Sequence, residues 1–175
     1  MGALARVIVL IGILFGILSC SASDIPLYDV VIVGGGTAGT VAAIQAGRMG
    51  SETLLLAESE WLGGMLTAAG VSAVDGNYRL QSGLFGEFRR ALVDHYGSDE
   101  AIHTGWVSRT LYEPSVGNRI LQEMVAAVPK IKLESKSQVI GVKAEEFALI
   151  STTLSIRTTS LIPSIARLLL SETTL

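Results

Sequence analysis

The chain has 175 residues, a formal net charge of -3 and a hydrophobic share of 49%. That charge gives no electrostatic footprint for nucleic acid, and the length, less a leader, amounts to about one domain. Cys20 is the only cysteine, which excludes an internal disulfide and any Cys-x-x-Cys redox pair, so disulfide-reductase chemistry is not expected.

The first segment inflates the hydrophobic share. Residues Val7 to Leu18 form an apolar run behind Arg6, too short to span a membrane comfortably and suited to a secretory signal. The run ends in Ile17-Leu-Ser-Cys20, which looks like a bacterial lipoprotein signal, where cleavage before Cys20 leaves the thiol to carry lipid. Leu18 is larger than the residue such signals prefer, and the alternative is an ordinary signal peptide cleaved at Ser21-Ala-Ser23. The expectation is an exported bacterial protein, periplasmic or lipid-anchored, with 1–20 as signal and 21–27 as a tether. A membrane surface would then be met through Cys20, and no protein partner is legible.

Next comes Tyr28-Asp-Val-Val-Ile-Val-Gly-Gly-Gly-Thr-Ala-Gly39, an apolar strand running into a glycine turn. Val30 to Val33 read as a strand buried on both faces, and Ala38 to Met49 as a helix ended by Gly50. Gly34, Gly36 and Gly39 have the G-x-G-x-x-G spacing: one glycine for the tight turn, one for close approach of backbone to phosphate, one for helix–strand packing. Gly39, Ala43 and Gly47, four apart, give the helix a nearly side-chain-free ridge toward the sheet. Only Thr37 offers side-chain capping, so the first N–H groups and the positive dipole end are available to an anion.

A second strand, Thr53 to Glu58, ends in an acid about 20 residues beyond the glycine turn, where a carboxylate can bond ribose hydroxyls. A 2′-phosphate would meet that carboxylate with no arginine beside it, which disfavours NADP and leaves FAD or NAD. The pair Gly63-Gly64 just past the strand permits positive φ and close approach to a ligand, or else a plain turn. Trp61 suits the pocket edge and is assigned no chemistry.

These residues resemble the FAD-dependent oxidoreductases of the glutathione-reductase-like superfamily. The resemblance runs roughly from Tyr28 to Glu145 and rests on the glycine turn with Ala43 and Gly50, on Glu58, and on Leu62-Gly-Gly-Met-Leu-Thr67. It implies a Rossmann-like doubly wound parallel sheet, here incomplete, with FAD as cofactor. The pyrophosphate would lie on Gly34, Gly36 and Gly39, with Gly35, Thr37 and Ala38 of the same turn also cofactor-binding, the adenosine ribose on Glu58, and the returning element would be Gly63 and Gly64. A strand like Gln138 to Val142 passes the adenine in such proteins, which would give Val139 backbone contacts.

Further along, Phe85, Phe88, Leu92 and Tyr96 recur at helical spacing within Ser82 to Tyr96, with Arg89, Arg90 and Asp94 toward water and Gly97 closing the element. Pro114 suits a first helical turn, and Val116, Ile120, Leu121, Met124 and Val128 line one face before Pro129. Lys130 to Glu134 alternates like an edge strand. His95 and His103 lack acidic or cysteine partners at ligand spacing, so no metal site is expected; His95, at a helix end, is explained by the dipole, and no catalytic residue is named.

From about Phe147 the composition shifts to Ser and Thr with Pro163 as the only punctuation, and the resemblance stops. Three readings are open for 147–175: an amphipathic helix around Ser164 to Leu170, a disordered extension, or out-of-frame translation, the last favoured because both breaks coincide. The expected function is the cofactor-binding part, 28–146, of a FAD-dependent oxidoreductase whose flavin accepts a hydride from a small organic substrate. The alternatives are a non-catalytic dinucleotide-binding fragment and a NAD-dependent dehydrogenase.

Overall fold

A computed structural model describes residues 26–76, 78–143, 151–158 and 164–169; the signal, the tether up to residue 25, and Cys20 with it, lie outside the described residues. Strand β1 (Leu27–Tyr28) leads at once to β2 (Val30–Val33), then helix α1 (Thr37–Arg48) and β3 (Thr53–Leu56). After a short 3-10 turn at Gly64–Leu66 come α2 (Gly83–Tyr96), a second 3-10 turn at Glu100–Ile102, and α3 (Pro114–Ala126). Four strands close the chain: β4 (Ile131–Glu134), β5 (Ser137–Lys143), β6 (Ser151–Thr158) and β7 (Ser164–Leu169).

Two sheets result. The first is parallel, in the order β2-β3-β4, with Val30 opposite Thr53 and Leu54 opposite Lys132. Parallel neighbours need a crossover, and α1 supplies it between β2 and β3. The second runs β1-β7-β6-β5, parallel at β1 and antiparallel elsewhere. Residues 164–169 are therefore a strand, not the helix considered for the tail.

The middle strand β3 is buried at every position because both faces of the parallel sheet are covered. Leu55 meets Ala43 and Ile44 of α1, Phe88 and Leu92 of α2, and Leu121 and Val125 of α3 in one core. On the other face Leu54 and Leu56 pack with Tyr28, Val31 and Val139. The small-residue ridge of α1 has the expected effect: a Cβ on Gly39 would collide with the Gly34 carbonyl, and one on Gly47 would lie 2.7 Å from Ile131 and 2.8 Å from Val128. Asp29 fixes the entry to β3 by accepting a 2.8 Å hydrogen bond from the Glu52 N–H.

Two expectations fail in particulars. β2 is packed on both faces, by Ile32 on one and Val31 on the other, but it is only half-buried, and Val33 at its end is 63% exposed. Arg89 does not face water but is 6% exposed, its Nε donating to the Thr110 hydroxyl and its guanidinium pairing with Asp99. The segment from Asp99 to Tyr112 folds over that side of α2, pinned by Leu111 N–H to Ile102 O at 2.7 Å and Tyr112 N–H to Ser72 O at 3.1 Å. Helix α1 is tied to α2 by a bidentate Arg48–Glu87 pair at 2.8 and 2.6 Å, which raises the guanidinium pKa and lowers that of the carboxyl.

Candidate functional site

The parallel sheet delivers the end of β2 and the end of β3 to the same place. Gly34 turns the chain at φ 109°, a left-handed value that a side chain disfavours. Gly35 faces inward, where a Cβ would sit 2.7 Å from the Ala57 side chain and 3.0 Å from that of Leu62. Gly36 is the N-cap of α1, with φ -66° and ψ -179°, and a Cβ there would meet nothing within 4 Å.

The start of α1 is bare. It has no side-chain cap and no acidic residue in its first turn. Helix geometry leaves the first N–H groups, at Thr37, Ala38 and Gly39, without intrahelical acceptors, at the positive end of the dipole. Thr37 does not supply a cap: its hydroxyl donates to the Gly63 carbonyl at 2.6 Å. Thr40, fully buried, donates to the Gly35 carbonyl at 3.1 Å and braces the turn from inside.

The Gly63-Gly64 pair returns to this turn. Gly63, at φ 102°, donates its N–H to the Gly35 carbonyl at 2.8 Å and forms a parallel bridge with Gly36. Gly64 comes so near that a Cβ on it would lie 3.1 Å from the Gly36 Cα. The returning segment is held from α3 as well: Leu62 N–H donates to Asn118 Oδ1 at 2.9 Å, and Gln122 Nε2 donates to the Glu60 carbonyl at 2.9 Å. Tyr112 donates its hydroxyl to the Leu66 carbonyl at 3.1 Å, and burial raises its pKa.

Between these walls lies a cavity of about 270 Å³ lined by Gly34, Gly35, Gly36, Ala57, Glu58, Ser59, Trp61, Gly64 and Ala68. Glu58 follows β3 and opens into the same space as the glycine turn, and Trp61 sits at the rim with 38% of its surface exposed. The chemistry of this donor set suits a dinucleotide: free backbone N–H groups and a helix dipole for phosphate, a carboxylate for ribose hydroxyls, and open space beside Gly36.

Other sequence candidates fall elsewhere. Val139 lies beside a register shift in β5 and packs on Leu54 and Leu56, and it is not among the residues that line the cavity. His95 and His103 are exposed and lie 3.1 Å from Arg119 and 3.2 Å from Arg109 respectively. Among the described residues, no three His, Cys, Asp or Glu side chains group to hold a metal. Asn118, Gln122 and Tyr112 were missed by the sequence reading, since nothing local marks a side chain as the partner of a distant loop's N–H or carbonyl.

Solved structures share this fold at low identity. AlpK matches with a TM-score of 0.55 at 17% identity over 81% of this chain and 30% of its own. THI4 of Thermovibrio ammonificans matches at 0.52 and 15%, over 96% of this chain and 62% of its own. The p-nitrophenol 4-monooxygenase PnpA of Pseudomonas putida DLL-E4 matches at 0.51 and 15%, over 83% and 39%. The chain thus spans less than two thirds of each. A family model described as FAD dependent oxidoreductase matches residues 29–162, reaching past Glu145 into the part that the sequence resemblance left out. Because that match begins at the head of β2 and contains every residue lining the cavity, the chain belongs to the FAD dependent oxidoreductase family, and FAD is the cofactor its cavity suits.

Proposed function

We propose that this chain is the FAD-binding part of an oxidoreductase whose flavin accepts a hydride from a small organic substrate. One observation carries the reading: the glycine turn, the returning Gly63-Gly64 pair and Glu58 border a single cavity at the bare start of α1. The N–H groups of the first turn of α1 bind the pyrophosphate, and the absent side chain at Gly36 lets it come close. Glu58 accepts hydrogen bonds from the adenosine ribose. The bound flavin supplies the two-electron chemistry, while the protein binds and orients it. The groups that would bind substrate and exclude water are not identified in this chain, whose span is 30% to 62% of the three structures named above. A non-catalytic flavin-binding fragment is therefore the second reading.

Purified protein should carry a yellow chromophore that denaturation releases as FAD, and an organic hydride donor should bleach it anaerobically. Absence of bound flavin, after incubation with excess FAD, overturns the reading. Retained flavin that no hydride donor reduces favours the non-catalytic fragment.

We further propose export, with lipid on Cys20 holding the protein at a membrane surface; the Ile17-Leu-Ser-Cys20 pattern supports this. No helix among the described residues is long and apolar enough to cross a membrane. Cys20→Ala should move the protein from the membrane fraction to the soluble one, and an unchanged distribution would refute lipid attachment.

A further inference from the structure

The segment Glu60 to Leu66, of which Trp61 and Gly64 line the cavity, has most of its backbone polar groups engaged by the protein. Glu60 O accepts from Gln122, Leu62 N–H donates to Asn118, Leu62 O accepts from Thr67, Gly63 N–H donates to Gly35 O, and Leu66 O accepts from Tyr112. Two grips flank the point of contact with the glycine turn. Thr37 holds the Gly63 carbonyl at 2.6 Å from one side, and Asn118 holds the Leu62 N–H at 2.9 Å from the other. Leu62 itself is fully buried, which anchors the segment between them.

We infer that Thr37 and Asn118 are positioning residues for FAD: together they set the separation between the Gly63-Gly64 wall and Gly36, and neither side chain bonds the cofactor. This rests on the FAD reading of the same cavity. Thr37 lies where the sequence suggests a phosphate ligand, yet its hydroxyl proton is committed to Gly63, leaving the phosphate to the backbone N–H groups. Asn118 is absent from the cavity lining and stands on α3, so that helix is coupled to cofactor affinity through this amide oxygen, beside the grip of Gln122 on Glu60. A wall this close to Gly36 tolerates little drift, since misplacement by about 1 Å at a binding site is costly.

The test uses the full chain and FAD itself. Thr37→Val keeps the shape and deletes the donor, while Thr37→Ser restores it. Asn118→Leu deletes the acceptor, while Asn118→Asp keeps an oxygen facing Leu62 N–H. Val and Leu are expected to weaken FAD binding about tenfold each and to alter the visible circular dichroism of the bound flavin, with Ser and Asp returning both toward wild type. The Val/Leu double variant should lose less than the product of the two, because both grips act on one segment. FAD affinity and dichroism unchanged in Thr37→Val and Asn118→Leu, with wild type binding normally, overturns this inference alone. Wild type that does not bind FAD overturns the cofactor reading, and this inference with it. Thr37→Val keeps the test decisive should Asn118→Leu fail to fold.

Discussion

Replacing Gly36 with alanine separates cofactor binding from folding. The backbone at Gly36 has φ -66° and ψ -179°, which any residue adopts, and a Cβ there meets no atom within 4 Å. Two small terms then act on stability. Alanine restricts the unfolded chain, which stabilises by about 0.4–1 kcal/mol, and it is a poorer N-cap than glycine, which costs a similar amount. The net change in unfolding free energy should stay within about 1 kcal/mol of zero. Binding is another matter, because N–H···O bonds to phosphate need a separation of about 2.7–3.2 Å and a methyl group at the cap holds the oxygens off. Two charge-assisted bonds lost at about 1.5–3 kcal/mol each amount to roughly 3–6 kcal/mol, or about 10²- to 10⁴-fold in FAD affinity. Reconstitution of flavin-free protein with FAD, followed by titration and by urea unfolding without FAD, reads both quantities. A variant that retains FAD with wild-type affinity refutes the phosphate cradle, and one that unfolds refutes the claim of open space. Gly39→Ala is the contrast, since its Cβ collides with the Gly34 carbonyl and should cost the fold itself.

Glu58→Ala should weaken FAD about 10- to 100-fold while leaving FMN, which lacks the adenosine ribose, unaffected; equal losses for both flavins would contradict a ribose contact. Arg89→Ala should lower stability by about 2–3 kcal/mol in urea titration, because it empties a buried site and leaves the Thr110 hydroxyl without its donor; a change below about 0.5 kcal/mol would show that the site collapses. The Arg48–Glu87 pair has side chains 37% and 34% exposed, so solvent screening limits it to under about 1 kcal/mol. Glu87 has a lowered pKa, chiefly from the hydrogen bond to Arg48, so its contribution is complete above the ordinary glutamate range near about 4.3 and is lost as pH falls through the depressed value. Arg48, shifted upward, stays charged throughout. Wild type and Glu87→Gln should therefore differ in thermal midpoint at neutral pH and converge in acid; a gap that persists in acid would contradict the linkage.

The strand–turn–helix unit was legible because its signals are local. A run of four apolar residues, a glycine turn and a ridge of small residues each express their structure within a dozen positions, and α1 and α3 begin within a residue of where the pattern places them. The juxtaposition of Gly63-Gly64 with the turn followed from the same economy, since little chain separates them from β3. What failed depends on partners distant in sequence. Arg89 looks like a solvated charge in its own helix, and only the fold of the segment from Asp99 to Tyr112 buries it. Val33 is apolar by composition, yet it is exposed at the end of β2, where no distant element covers it, and strand sequence does not encode that.

Among the described residues that line the cavity there is no lysine or arginine, and the one acidic side chain, Glu58, has the sign of the phosphates. Attraction for the pyrophosphate must then come from oriented peptide dipoles, which carry no counterions to release and lose little to ionic screening at contact distance. Added salt even relieves the repulsion from Glu58. Cofactor retention should in consequence be nearly indifferent to ionic strength, and a protein built this way keeps its flavin across saline conditions that would strip a ligand held by surface cations.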